Sequence, residues 1–339
     1  MNHRRKLIAA LGAGALTHAL THAVDAHAQA SANLSANPLA RTLRIGWLAP
    51  GTAASQTVLF DVLRNGLRDI GYVEGKNLVI EARWADGNNE RLPQLAQELA
   101  AAKVAAIVTV FTATAVAAHQ AVRDVPIIFT LVSDPVAAGL VKSLARPERN
   151  ATGLASLNIE LAAKRLEILS EIVPAAKRIA FFYRSDLPTD RSKLEATQQG
   201  ARILGVTILP HDLLRSTPAE AFKRAATAGA KAAIVVLNGP NFDNRSDIVR
   251  LAVQHRLPAI YEMPVFVDDG GLVSYSVSQY AQIGRAAYYL DRLHKGTRVG
   301  ELPVEQALTL EFAVNQKTAK AIGIKFPNIV MLRATKVIE

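Results

Sequence analysis

Arg44-Ile45-Gly46-Trp47 and Arg178-Ile179-Ala180-Phe181 open two stretches, 134 residues apart, that keep the same rhythm. Gly71 follows Ile45 by 26 residues, and Gly205 follows Ile179 by 26. Each glycine closes a helical pattern, Asp61 to Ile70 in one stretch and Lys193 to Leu204 in the other. Each then leads into an apolar run, Leu78 to Ala82 or Val206 to Leu209. Further along, Ala105-Ala106-Ile107-Val108 leads to Val125-Pro126-Ile127-Ile128, as Ala232-Ala233-Ile234-Val235 leads to Leu257-Pro258-Ala259-Ile260. One strand–helix–strand–helix–strand–helix–strand unit is therefore written twice. The predicted fold class is α/β, with two similar Rossmann-like lobes built on parallel sheets and a cleft between them where function should lie.

In the first lobe the pattern predicts strands at 43–48, 77–84, 105–111 and 126–131, with helices at 56–70 and 90–102 and a third opening at Thr112. In the second it predicts strands at 179–183, 206–209, 232–237 and 259–262, with helices at 193–204, 219–228 and 243–255. Residues 151–157 join the two as a candidate hinge strand. After Gly270-Gly271 come a strand at 272–276, a helix at 280–293, strands at 302–304 and 308–314 and a helix at 316–322. So long a tail after a finished second lobe implies that the chain crosses back, which makes a multi-crossing hinge with defined open and closed states. The expected division is 43–152 with 277–301 as the first lobe and 153–276 with 302–339 as the second.

The 339 residues are half hydrophobic and only 6% aromatic, which suits buried parallel strands covered by helices. Arg4-Arg5-Lys6, the apolar residues 7–20 and the small-x-small triplets Ala26-His27-Ala28 and Ala28-Gln29-Ala30 make residues 1–30 a secretory signal peptide. The Sec and twin-arginine routes both remain open, and residues 31–42 read as a flexible leader. The expected location is periplasmic. Net charge is +10, or +8 without residues 1–30, but the cations are interspersed with acids, so a solvated surface is expected and no nucleic-acid partner. The absence of cysteine excludes disulfides, thiolate metal sites and cysteine nucleophiles.

Ligands of open parallel sheets sit outside the carboxyl ends of the strands. Those ends supply the candidate site: Thr52; Thr112 and Thr114 at a helix start suited to a carboxylate; Ser133 and Asp134; Tyr183; Asn238; Glu262; and Tyr275. Asp134 suits an amine or hydroxyl, or else caps a helix over 136–145. The tyrosines suit an apolar ligand portion, or else pack in the core. Arg184 suits a carboxylate, or else lies exposed. Catalytic motifs are missing: there is no Gly-x-Ser-x-Gly and no His-Glu-x-x-His, and Gly71 to Lys76 lacks phosphate-loop spacing. Neither a cofactor nor a metal is expected, and binding is favoured over catalysis.

Several longer motifs carry a resemblance. They are Gly66 to Asn77 (Gly-Leu-Arg-Asp-Ile-Gly-Tyr-Val-Glu-Gly-Lys-Asn), Ser133 to Val141 (Ser-Asp-Pro-Val-Ala-Ala-Gly-Leu-Val), Leu257 to Tyr261, Gly270 to Tyr275, Leu302 to Gln306 and Asn315 to Gly323. In this order they resemble the substrate-binding proteins of ABC transporters with the type 1 periplasmic-binding fold, in the group related to TrpX-like tryptophan-binding proteins. The resemblance implies an exported receptor that traps a small-molecule solute and delivers it to an inner-membrane permease, and a hinge of three crossings. It implies that Thr112, Thr114, Ser133 and Asp134 face the ligand. The second lobe departs from it, with Asn238-Gly239-Pro240-Asn241 where relatives have a Thr-Asp-Asn-like segment. Two rival functions share the same lobes: an exported sensor that signals to a membrane kinase, and an exported enzyme using Asp134 and Glu262 as a carboxylate pair.

Overall fold

A computed structural model describes residue 39, residues 41–306 and residues 309–339. The signal peptide and nearly all of the leader expected from the sequence lie outside the described residues. Two sheets organise the chain. The first has six strands in the order β11-β5-β4-β3-β1-β2, with β1 Leu43–Ala49, β2 Leu78–Trp84, β3 Ile107–Val110, β4 Ile127–Val132, β5 Ala151–Ala155 and β11 Glu305–Gln306. The second has seven, in the order β13-β12-β10-β9-β8-β6-β7. Its members are β6 Arg178–Tyr183, β7 Thr207–Asp212, β8 Ala232–Val235, β9 Ala259–Tyr261, β10 Val273–Val277, β12 Leu310–Asn315 and β13 Lys336–Ile338. Pairing is parallel except between β10 and β12. The fold is thus α/β with two parallel-dominated sheets.

The central strands are buried from end to end because they carry unbroken apolar runs, Ile-Val-Thr-Val in β3 and Ile-Ile-Phe-Thr-Leu-Val in β4. Helices cover both faces. Helix α1 (Ala53–Asp69) buries Gln56, Leu59, Leu63 and Leu67, one residue per turn, against the first sheet. It is followed by α2 (Leu92–Ala101) and α3 (Thr112–Ala121). The second lobe carries α4 (Ala162–Ile172), α5 (Pro188–Leu204), α6 (Pro218–Thr227), α7 (Gly239–Asp243), α8 (Arg245–Gln254) and α9 (Val265–Asp268). Helix α10 (Gln279–His294) returns to pack on α1, and Tyr72 donates from its hydroxyl to Asp291 at 3.0 Å. Helices α11 (Gln316–Ile322) and α12 (Asn328–Arg333) finish the second lobe. The repeated glycines that mark the duplication, Gly71 (φ +95) and Gly205 (φ +62), both take the left-handed backbone that ends a helix cleanly.

Strand pairing sets where the chain passes between sheets: after Ala155, after Val277 and after Gln306. The sequence division placed the first and third changes at 152/153 and 301/302. Strand β5 instead stays with the first sheet to Ala155, and β11, two residues long, pairs there with Leu154 and Ala155. Other differences are local. Helix α5 starts at Pro188, because proline at N1 lacks only an N–H that a helix start leaves unbonded. The helix expected over 243–255 forms as Arg245–Gln254, preceded by the short helix Gly239–Asp243, and 136–145 is a series of turns with no helix. No helix among the described residues is long and apolar enough to cross a membrane.

Candidate functional site

The carboxyl ends of both sheets meet around one cavity of about 490 Å³, a size that holds a small organic solute. Its first-lobe wall comes from Phe111, Thr112, Thr114, Leu131, Ser133 and Asp134, and its second-lobe wall from Leu187, Pro188, Lys193, Leu237, Asn238 and Pro240. Asn158 and Ile159, in the first passage between sheets, also line it.

Helix α3 opens directly into this cavity. Its N-cap is Phe111, whose side chain cannot accept a hydrogen bond, and its first intrahelical bond runs from the Ala115 N–H to the Phe111 carbonyl. Among the described residues, the N–H groups of Thr112, Ala113 and Thr114 meet no acceptor. Three free donors at the positive end of a helix make an anion site. Beside them Thr114 is completely buried, and its hydroxyl has no partner. Backbone strain maintains the geometry: Phe111 (φ +67, ψ 152) and Leu131 (φ +58) both hold left-handed conformations at strand ends facing the cavity. Each costs on the order of 1–3 kcal/mol, so the surrounding packing must enforce it.

Asp134 curls back so that one carboxylate oxygen accepts from the Val136 and Ala137 N–H groups at 3.1 and 2.9 Å. Its other oxygen meets no donor among the described residues, which leaves a fixed half-charge for a cation. Phe111, Leu131 and Val116 add apolar surface to the first-lobe wall, alongside the polar Asn89, Gln120 and Ser133.

The second-lobe wall hides a buried ionic cluster. Lys193 is 2% exposed and donates from Nζ to Glu262 at 2.7 Å and to the Leu237 carbonyl at 3.0 Å. Glu262, itself 1% exposed, also accepts from Arg165 Nη1 at 2.8 Å and from the Leu237 N–H at 2.7 Å. Arg165 further donates to Asn158 and to the Tyr275 carbonyl, tying α4 to the first interlobe passage and to β10. Two cations on one carboxylate leave a positive excess, which faces Asp190. Burial pushes the Asp190 carboxyl up to about 6, against the counter-pull of Lys193. Asp190 accepts from Asn238 Nδ2 at 2.7 Å and from the Arg184 N–H at 3.0 Å, while its other oxygen has no partner.

The lobes touch directly beside the cavity. Asp243, at the end of α7, accepts from Ser55 Oγ at 2.7 Å and from Gln56 Nε2 at 2.8 Å across the cleft. Arg245 Nη1 donates to the Ser55 carbonyl at 3.2 Å, and the Phe111 and Phe242 rings meet at 5.9 Å. A Cβ on Gly51 would collide with the Asp243 carboxylate, so only glycine allows this approach. These contacts describe a closed cleft. Burial raises the Asp243 carboxyl above its ordinary value, although the Ser55 and Gln56 donors oppose the shift.

Of the nine residues singled out from the sequence, Thr112, Thr114, Ser133, Asp134 and Asn238 line the cavity. Four stand elsewhere. Thr52 closes a capping box with Ser55 at the start of α1, its hydroxyl accepting from the Ser55 N–H and donating to Ser55 Oγ, and it does not line the cavity. Glu262 lies behind the wall, held by the two cations, so it cannot serve with Asp134 as a proton-transferring pair. Tyr183 packs against Phe181 at 6.1 Å, and Tyr275 meets Phe312 edge-on at 5.6 Å, so both are sheet residues. Arg184 is paired bidentately with Asp186. Lys193, Asn158 and the Leu187-Pro188 turn were missed. Pro188 was the available signal, since proline at a helix start would have extended α5 back to the cavity. Among the described residues no group of acidic or histidine side chains is arranged to hold a metal ion.

The family model for ABC transporter substrate binding proteins matches residues 54–338. A tyrosine-binding protein of Clostridioides difficile is 27% identical over 263 residues, covering 76% of this chain and 74% of the relative. A crystal structure of a conserved domain protein from Vibrio cholerae superposes with a TM-score of 0.81 at 26% identity, over 88% of this chain and 100% of that one. The pneumococcal ABC domain in complex with L-Trp gives 0.79 at 23%, over the same shares. Solute-binding proteins for allitol and leucine share the same arrangement of lobes, that of type 1 periplasmic binding proteins. The expected fold and family are both met, and the chain belongs to the ABC transporter substrate-binding protein family.

Proposed function

We propose that this chain is the extracytoplasmic receptor of an ABC importer and that it closes on an amino acid with a flat apolar side chain. The observation that carries this reading is the pairing of charges on one wall of the cavity. The uncapped start of α3 with the Thr114 hydroxyl receives the α-carboxylate, and the free oxygen of Asp134 receives the α-ammonium. Phe111, Leu131, Leu187, Pro188 and Leu237 then enclose the side chain. The tyrosine-binding relative supports an aromatic side chain. Closure follows because the second-lobe wall and the Asp243 contacts form only when the lobes meet around the ligand. The basic, apolar amino terminus supports export, which places the receptor where a membrane permease can collect its cargo.

The test is calorimetric titration of the mature chain with L-tyrosine, L-tryptophan, L-phenylalanine, L-leucine and ribose. Micromolar binding corresponds to about −8 kcal/mol, within reach of two charge-assisted contacts and one buried ring. Binding of at least one aromatic amino acid, with loss on removing either the carboxylate (tyramine) or the amine, supports the reading. Binding of tyramine as tightly as tyrosine, or of ribose alone, removes it.

A further inference from the structure

A second concavity of about 580 Å³ lies in the first lobe, separated from the ligand cavity by Val116, Gln120 and Ala138, which line both. Its other walls are Arg123 and Arg149, with His119, Gly139 and Asn150. The charges here are unbalanced. Arg149 donates from Nη1 to the Gly139 carbonyl at 2.8 Å, but neither guanidinium pairs with a carboxylate among the described residues. Of the acids close in sequence, Glu148 holds Lys142 at 2.8 Å, Asp134 caps its own turn, and Asp124 makes no ion pair among the described residues. Burial holds the His119 imidazole below its ordinary range against an opposing pull from Asn150, and the fields of Arg149 and Arg123 add smaller contributions in the same direction as burial. Its Nδ1 is buried without a hydrogen-bond partner. The carbonyl end of α3, which carries His119 in its last turn, and the carboxylate of Asp124 next to Arg123 offset part of this repulsion. Two guanidiniums without a carboxylate partner lining one concave site concentrate positive potential and present forked donors suited to a planar or tetrahedral oxyanion.

We propose that this pocket binds a compact oxyanion, a phosphate or carboxylate group, through Arg123 and Arg149. The group arrives either as a free ion or as the far end of an elongated solute that lies along α3 from the main cavity. The free-ion arm stands apart from the reading of the main cavity, whereas the elongated-solute arm rests on it.

Calorimetric titration of the full chain with inorganic phosphate at constant ionic strength tests the first source, in the wild type and in the Arg123→Gln/Arg149→Gln double variant. Comparing O-phospho-L-tyrosine with L-tyrosine tests the second, because both keep the free α-carboxylate and α-ammonium. Saturable phosphate binding that the double variant weakens at least tenfold assigns a free-anion site. A preference of at least fivefold for O-phospho-L-tyrosine, abolished in the double variant, assigns a ligand subsite. The single variant Arg123→Gln, at an exposed position past the helix end, should show a smaller loss in the same direction and guards against misfolding. If phosphate and O-phospho-L-tyrosine bind the wild type and the double variant alike, or not at all, with L-tyrosine affinity and melting temperature unchanged, the anion pocket is refuted and the reading of the main cavity stands.

Discussion

Asp243→Ala should loosen ligand binding without touching the ligand. Asp243 does not line the cavity, yet it accepts from Ser55 Oγ and Gln56 Nε2 across the closed cleft. An intramolecular hydrogen bond nets about 1–1.5 kcal/mol once exchange with water is counted. Opening the cleft returns all three groups to water, so the pair together should favour closure by about 2–3 kcal/mol. Gln56 is fully buried in the closed form, so truncating Asp243 strands its amide there. Apparent affinity falls with the closed population, and each 1.4 kcal/mol is tenfold, so the dissociation constant should rise roughly 30- to 150-fold. Entry into the open form is unaffected, so the loss belongs in the dissociation rate. Stopped-flow fluorescence with L-tyrosine measures both rates, and small-angle scattering should show the variant compacting at saturation as the wild type does, but at higher ligand concentration. A dissociation constant within twofold of wild type, or a loss confined to the association rate, would refute the role given to these contacts.

Thr114→Val removes a buried hydroxyl that has no partner, so the unliganded protein should melt at the same temperature or higher while L-tyrosine affinity falls about tenfold; calorimetry and thermal melts read the two effects. Asp190 has its folded-state value raised to about 6 from an ordinary 3.8, so the folded protein binds the extra proton between those values and loses stability as pH rises through that window. Urea unfolding from pH 4 to 7 should show this slope, about 3 kcal/mol in all, and Asp190→Asn should flatten it. Glu262→Gln leaves Arg165 and Lys193 buried against a neutral amide and should destabilise the chain by about 3–5 kcal/mol in chemical denaturation.

Much of the fold is local and therefore legible. Parallel strands buried on both faces announce themselves as apolar runs, which is why Ile107–Val110 and Ile127–Val132 stand out and why the duplication could be seen from β1 and β6. Strand ends in such sheets point at the cleft, which carried the sequence to Thr112, Thr114, Ser133, Asp134 and Asn238. What escaped depends on long-range pairing. Nothing near Glu262 in the sequence says that Arg165 and Lys193, 97 and 69 residues away, will claim its carboxylate. A two-residue strand such as Glu305–Gln306 has no periodicity to detect, and only its partner Leu154 assigns it to the first sheet. Thr52 was readable: Ser55 three residues on completes a capping box, which consumes the hydroxyl locally.

The crystal structure of the protein grown with L-tyrosine tests the central claim most directly. The account predicts the ligand carboxylate within about 3 Å of the Thr114 hydroxyl and the first N–H groups of α3, the ammonium on Asp134, and the ring among Leu131, Leu187 and Leu237. A ligand seated with its carboxylate on Lys193, or lying outside this cleft, would contradict it.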